Sequence, residues 1–298
     1  MKAPKVLVTG GTGFIGRHLV TALVARGWPT VTIVKSADRA VALPSGPVTA
    51  VGMDVSAIPE IFEAHRPDIV IHLATHFVAR HAGIDQVRPM IDANVTFGAE
   101  LAEVTSRNGV PLVSASSVWQ NYQGAAYDPV SLYAATKQAL DDILTYYSTV
   151  EGLGWTKLIL GDTYGPGDTR GKLLSLLLDT AVTGRNLEAA SGHQLWEALN
   201  VSDVVVGLLD AAQEQLHDPA TRAYQLRPLS SPTVRDVVRI AESAIERTIP
   251  VNWGARPDRG REMLTPWIVT APPIWWRPRV DLREGIRDVW LQDFAPRI

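Results

Sequence analysis

Lys5-Val-Leu-Val-Thr9-Gly10-Gly11-Thr12-Gly13-Phe14-Ile15-Gly16 is the stretch that decides the fold. A short apolar run closed by glycines reads as a strand buried on both faces, as strands of parallel sheets are. The glycines at 10, 13 and 16 then turn the chain into a helix expected from Ile15 to Arg26, which Gly27 ends. Without side chains they let the backbone approach a ligand closely, and the first N–H groups of the helix have no acceptor within it. A strand–glycine–helix turn of this kind is built to face a pyrophosphate. Gly10, Thr12, Gly13, Phe14, Ile15 and Gly16 are the contacts it offers. A tight turn with no ligand would carry the same glycines, so the assignment leans on the rest of the chain.

The rhythm repeats downstream. Apolar runs at Thr30 to Val34, Val48 to Met53, Ile69 to Leu73, Pro111 to Ser114 and Thr156 to Leu160 alternate with helical stretches. That order predicts an α/β fold, a doubly wound parallel sheet of the Rossmann kind, with ligands at the carboxyl ends of its strands. Asp162-Thr-Tyr-Gly-Pro-Gly-Asp168 is a proline/glycine break read as a hinge. Residues 1–168 are therefore expected to form the dinucleotide-binding domain, and 169–298 a smaller, interleaved substrate lobe. Helices are expected at Lys172 to Thr183, Val204 to Gln215 and Val234 to Glu246, with a return toward the sheet near 199–210.

Bulk properties remove several classes of function. A net charge of -3 and a pI near 6.2 give no basic field for nucleic acid, so any anionic ligand must be met by local cations. Zero cysteines exclude disulfides and thiolate chemistry, and the seven histidines show no zinc-binding spacing, so no metal is expected. No apolar run approaches the roughly 18 residues of a membrane span. Met1-Lys-Ala-Pro-Lys5 leads straight into the first strand without a signal peptide's apolar core, and the expected location is cytoplasmic.

Tyr133 and Lys137 stand four apart in Ser131-Leu-Tyr-Ala-Ala-Thr-Lys-Gln-Ala-Leu140, on one face of a helix, where an ammonium could favour the phenolate. A free phenol, with a pKa of about 10, is otherwise a sluggish acid–base group at neutral pH. Taken with the glycine turn about 120 residues earlier, the pair resembles the short-chain dehydrogenase/reductases of the extended type, the NAD-dependent epimerase/dehydratase family that modifies nucleotide sugars. The resemblance runs along most of the chain and is nearest to the nucleotide-sugar 4-ketoreductases, such as the abequose and paratose synthases.

That resemblance implies roles. Tyr133 would exchange a proton with the reacting oxygen, while Lys137 would lower its pKa and hold the nicotinamide ribose. Asp54-Val55 would meet adenine, and Leu73-Ala74-Thr75 the nicotinamide-side ribose. The family's carbonyl-binding Ser/Thr falls on Ala115 in Val113-Ser-Ala-Ser-Ser-Val-Trp119. Ser116 is expected to take its place, with Ser117 and Ser114 as alternates. No Asp-Glu pair follows that position, which argues against a dehydratase. At the end of the second strand Lys35, Ser36 and Arg39 suit a 2′-phosphate and favour NADP(H), although Asp38 leaves NAD open.

On the sugar side, Asp162-Thr-Tyr-Gly-Pro resembles the family's Asn-Val-Tyr-Gly-Pro segment. Thr163 and Tyr164 would line the pocket. Arg170, Lys172, Arg256, Arg261 and Arg277 are the expected cations for the diphosphate, with Ser117 and His76 also facing substrate. Arg170 and Lys172 could equally be solvated charges, and the neighbouring Trp275-Trp276 pair could simply be packing. The regions Asp85 to Ser106 and the Tyr133 helix resemble those that pair two copies through a four-helix bundle, so a homodimer is expected. The leading expectation is NADPH-dependent reduction of a nucleotide-linked 4-keto-6-deoxy sugar. A 4-epimerase with bound NAD, a non-sugar carbonyl reductase and a non-catalytic NADP-sensing protein remain as alternatives.

Overall fold

In the computed structural model, which describes residues 3–34, 43–52, 57–79 and 81–297, the opening apolar run is a strand (β1, Val6–Thr9) buried at every position. The glycine turn follows, then α1 (Phe14–Ala25) and β2 (Thr30–Val34), again wholly buried. The alternation continues with β3 (Val48–Gly52), α2 (Ile58–His65) and β4 (Ile69–His72). A helical run then begins as α3 (Val87–Ile91), widens through a π turn at Asp92–Thr96, and continues as α4 (Phe97–Arg107). After β5 (Leu112–Ser117) come α5 (Leu132–Thr149), β6 (Trp155–Leu160) and the short β7 (Asp162–Tyr164). The chain ends through α6 (Leu173–Thr183), β8 (Leu187–Glu188), β9 (Ala198–Asn200), α7 (Val201–His217), β10 (Arg222–Leu226), α8 (Val234–Ile245), β11 (Val251–Asn252) and α9 (Leu282–Val289).

Seven strands form one parallel sheet in the order β10-β6-β5-β4-β1-β2-β3. Strand order reverses between β1 and β4, whose registers pair Val6 with Ile69 and Thr9 with His72. A crevice must open there, because the chain leaves β1 and β4 toward opposite sides. The α/β fold is thus as the strand–helix alternation predicts. Strand ends differ by one to three residues, with β5 running to Ser117, three beyond the expected end, because it stays in register with β6 to Leu160.

Each face of the sheet has its own core. Leu19, Val20 and Leu23 of α1 pack with Val204, Leu208 and Ala212 of α7 on one side. On the other, Phe62 of α2, Leu101 of α4 and Leu140 and Leu144 of α5 cover Leu7, Val70 and Leu112. A third core joins α6, α8 and α9 through Leu177, Val237 and Ile286. The expected return near 199–210 takes a particular form: β9 pairs with β7 beside the sheet, and α7 then packs on the sheet's face and leads to β10 at its edge. No helix among the described residues is long and apolar enough to cross a membrane.

Candidate active site

The glycine turn is shaped by close approach. Gly10 has φ +74°, and a Cβ there would lie 2.6 Å from the Ala74 nitrogen; one on Gly16 would lie 2.0 Å from the Gly10 carbonyl oxygen. Only glycine lets β1, the loop after β4 and the start of α1 meet so closely. Gly13 is the N-cap of α1 and brings no side chain to accept the first helical N–H groups, which are left for a ligand. The cradle fits the pyrophosphate of a nicotinamide dinucleotide.

A cleft of about 1120 Å³ opens from this turn. Gly10, Thr12, Gly13, Phe14, Ile15 and Gly16 line one end. Leu73, Ala74, Thr75 and His76 enter from the loop after β4, and Ser116 and Ser117 from the end of β5. Tyr133 and Lys137 enter from α5, and Thr163, Arg170 and Lys172 from the segment between β7 and α6. Residues scattered over more than 160 positions thus share one cavity, because parallel strands deliver all their carboxyl ends to the same edge. Tyr164, Arg256, Arg261 and Arg277 do not line it. Tyr164 is buried in the third core, its ring 5.6 Å from that of Trp196. Arg261 pairs with Asp128 and lies over the Tyr122 ring, while Arg256 and Arg277 are exposed. Trp276 is buried, its indole N–H donating to the Asp203 carbonyl at 3.0 Å, so that residue is packing. Lys35, Ser36, Arg39, Asp54 and Val55 lie outside the described residues.

α5 owes its start to Ser131, whose hydroxyl accepts from Ala134 N at 3.2 Å. Its first turn points Tyr133 at the cleft, where the Phe77 ring meets the phenol edge-on at 4.9 Å. The phenol pKa is pushed up to about 12, chiefly by burial. Asp141 and Asp162 add to the rise, and Thr75 and Arg170 oppose it. Lys137 is buried one turn on; burial pulls its ammonium down, with Asp141 opposing. The lowering of the phenol expected from Lys137 is not what the protein alone shows: the loss of water around the ring raises it. His72, also buried, is held down to about 3 by burial and by Lys137, which makes it a neutral hydrogen-bonding residue rather than a base.

The serines of β5 divide by strand alternation. Ser114 and Ser116 face α5: Ser114 Oγ accepts from the Trp155 indole at 2.9 Å, and Ser116 Oγ donates to Asp141 Oδ1 at 2.7 Å. The other Asp141 oxygen takes Gln120 Nε2 at 2.7 Å and Lys157 Nζ at 2.6 Å. Ala115, Ser116 and Ser117 all line the cleft, but the Ser116 proton is directed at Asp141. Ser117 Oγ accepts from Trp119 N at 3.2 Å and keeps its own proton. Arg170 is engaged by Asp168 and Thr163 and rests 4.2 Å over the Phe14 ring. Lys172 pairs with Asp162 at 2.6 Å and lies 4.8 Å over Phe77. Two groups not foreseen from the sequence complete the site. Asn94 sits in the π turn, where helices often carry functional residues, and Asp141 stands behind Lys137. The one sequence signal for Asn94 is its place before Val95-Thr96, three poor helix formers together.

The profile of the NAD dependent epimerase/dehydratase family matches residues 6–226, most of the chain. The protein belongs to this family. It is accordingly an enzyme of the extended short-chain dehydrogenase/reductase group, for which a nicotinamide cofactor is the family's reagent. It is similar to CDP-abequose synthase of Salmonella typhimurium, 22% identical with 95% of this chain and 96% of the relative covered. It is also similar to UDP-glucose 4-epimerase of Neisseria meningitidis serogroup B, 25% identical with 96% of each covered. Among solved structures, MoeE5 in complex with UDP-glucose and NAD superposes with a TM-score of 0.83 at 25% identity, covering 99% of this chain and 100% of that one.

Proposed function

We propose that this family member uses NADPH to reduce a nucleotide-linked 4-keto-6-deoxy sugar to its 4-hydroxy form. The observation that carries the reading is the convergence of the glycine cradle, Tyr133 and Lys137 on one cleft whose β5 end offers serines where a dehydratase would need an acid and a base. The similarity to CDP-abequose synthase supports a sugar 4-ketone as the substrate class.

When bound, the cofactor supplies the hydride that goes to the carbonyl carbon, and is itself oxidised. The remaining work falls to the chain. The free N–H groups from Phe14 to Gly16 hold the pyrophosphate, and Leu73-Ala74-Thr75 bounds the nicotinamide side. Tyr133 donates its proton to the oxygen as the carbon is reduced, leaving a phenolate that solvent reprotonates. Lys137, whose ammonium Asp141 supports against the lowering by burial, counters that phenolate and binds ribose. Ser117, whose proton is uncommitted, replaces Ser116 as the favoured second donor to the carbonyl, because the Ser116 proton is directed at Asp141. Phe77 and Trp119 give an apolar wall for a deoxygenated carbon, with Thr163 and the Asp162–Lys172 pair facing hydroxyls. Arg170 and Lys172, which line the cleft, are the cations assigned to the diphosphate.

The preference for NADP(H) rests on Lys35, Ser36 and Arg39, and pairing of two copies through α4 and α5 rests on the family resemblance; both belong to the same proposal. The substrate lobe is taken as residues 169–298, less the part of α7 and β10 that serves the sheet. The test is NADPH consumption with dTDP-, CDP- and GDP-linked 4-keto-6-deoxyhexoses. Turnover of one of them, lost by about 10²-fold or more in Tyr133→Phe, is the expected result. The similarity to UDP-sugar 4-epimerases favours a second reading, in which NAD stays bound and one carbon is oxidised and reduced again. Purified protein that carries NAD and interconverts two nucleotide sugars without consuming NADPH would establish it.

A further inference from the structure

Tyr133 loses its proton in the reaction proposed above, and the resulting phenolate needs a hydrogen-bond donor in a place from which water is largely removed. Position 115, the cleft-facing residue of β5 opposite the phenol's helix, is alanine and offers none. The Ser114 hydroxyl is engaged by Trp155, and Ser116, although it lines the cleft, directs its proton at Asp141. The loop after β4 supplies what β5 does not. Thr75 lines the same cleft as Tyr133, close enough for its hydroxyl to favour the ionised phenol.

The Thr75 hydroxyl is held in readiness by Asn94. Thr75 Oγ1 donates to Asn94 Oδ1 at 3.0 Å, and the same oxygen accepts from His76 N at 2.6 Å. Asn94 Nδ2 donates to the His76 carbonyl at 3.1 Å and to Thr136 Oγ1 at 2.9 Å. A backbone N–H can only donate, so the amide oxygen must be the atom facing Thr75, and the orientation of Asn94 is settled by its partners. The π turn Asp92–Thr96 brings this buried amide beside the first turn of α5. If the Thr75 proton swings from Asn94 to a phenolate, Asn94 Oδ1 still accepts from His76 N, so the swing leaves no buried oxygen without a partner.

We propose that Thr75, preset by Asn94, is a positioning residue for Tyr133: its hydroxyl turns from the amide oxygen to the phenolate as the phenol gives up its proton. No covalent bond changes in this step; one hydrogen bond is exchanged for another, and the proton released by Tyr133 goes to the substrate oxygen. Asp141 of α5, Asp162 of β7 and Arg170 also act on this ring, Lys172 lies across Phe77 from it, and Lys137 lines the same cleft. They are common to every Thr75 variant, so differences between variants report the hydroxyl alone. The inference rests on Tyr133 being the proton donor.

The test reads the phenol directly, without a sugar substrate. The protein is labelled with carbon-13 at the tyrosine carbon that bears the hydroxyl, saturated with NAD⁺ and with NADP⁺ in separate samples, and titrated by NMR, with Tyr133→Phe assigning the resonance. Thr75→Val keeps the shape of the side chain and removes the hydroxyl, and Thr75→Ser restores it. The midpoint for Tyr133 is expected to rise by about one pH unit in Thr75→Val, a tenfold loss of phenolate at fixed pH, and to return in Thr75→Ser. Equal midpoints in the unaltered protein and Thr75→Val would overturn the proposal, as would a Tyr133 signal that fails to titrate in any variant while the fold survives. Circular dichroism and dinucleotide affinity show whether the variants are folded and saturated. A shifted midpoint in a protein that reduces none of the three 4-keto sugars would leave the Thr75 role standing and remove the sugar reading; the reverse pattern would do the opposite.

Discussion

Ser116→Ala separates a structural hydroxyl from a reacting one. In the structure Ser116 Oγ donates to Asp141 Oδ1 at 2.7 Å, and Asp141 is 3% exposed. A hydrogen bond to a buried carboxylate stabilises by about 1.5–3 kcal/mol. The lower part of that range applies because Oδ2 retains Gln120 and Lys157. Alanine keeps the strand and fills nearly the same space, so little cavity term is added. With a denaturant dependence of up to about 3 kcal/mol per molar for a chain of this size, the urea midpoint should fall by roughly 0.5–1 M. Turnover of the 4-keto sugar, measured by NADPH consumption well below that midpoint, should stay within a few-fold of the unaltered protein. Ser117→Ala gives up the bond from Trp119 N and should also lose about 0.5–2 kcal/mol of stability, so turnover, reduced here and kept in Ser116→Ala, is what separates the two. A Ser116→Ala protein of unchanged stability whose turnover drops about a hundredfold would refute this division and return the carbonyl-binding role to Ser116.

Gly16→Ala places a methyl 2.0 Å from the Gly10 carbonyl oxygen, a backbone atom that cannot step aside. The turn must open, at a cost of about 1–3 kcal/mol or more. Fluorescence titration should show dinucleotide binding weakened further than urea unfolding alone accounts for. His72 is neutral in the folded protein down to about pH 3, whereas the unfolded chain takes up a proton below about 6.5. Folding stability should therefore fall as pH drops through that window, by up to about 1.4 kcal/mol per pH unit from this one residue. Urea unfolding as a function of pH should show the acid slope reduced by about one proton in His72→Gln. Lys35→Ala combined with Arg39→Ala should weaken NADP(H) far more than NAD(H) in equilibrium titrations; equal losses would remove the 2′-phosphate assignment.

Much of this protein is legible in the order of its residues. The apolar runs from Val6 and Thr30 onward, each followed by a helix, dictate a parallel sheet because only crossover helices can return the chain to the same edge. The glycines at 10 and 16 mark a turn that no side chain could share, and the four-residue spacing of Tyr133 and Lys137 puts both on one helical face. These are local rules of period and steric size, and they survive into the folded state. Folding alone decided which hydroxyl keeps its proton free at the cleft. Ser116 and Ser117 are adjacent and chemically identical and both line the cavity, yet alternation in a strand paired with β6 turns one hydroxyl to Asp141 and leaves the proton of the other uncommitted. Tertiary contacts also sent Tyr164 into a core and Arg261 to Asp128, and brought Asn94 through a π turn to Thr75. Even the sign of the Tyr133 shift was a tertiary matter: a neighbouring lysine is written in the sequence, but the burial that raises the phenol depends on Phe77 and the other walls of the cleft. Spacing reports which side chains share a face; only the packed chain sets what each face meets and how much water is left there.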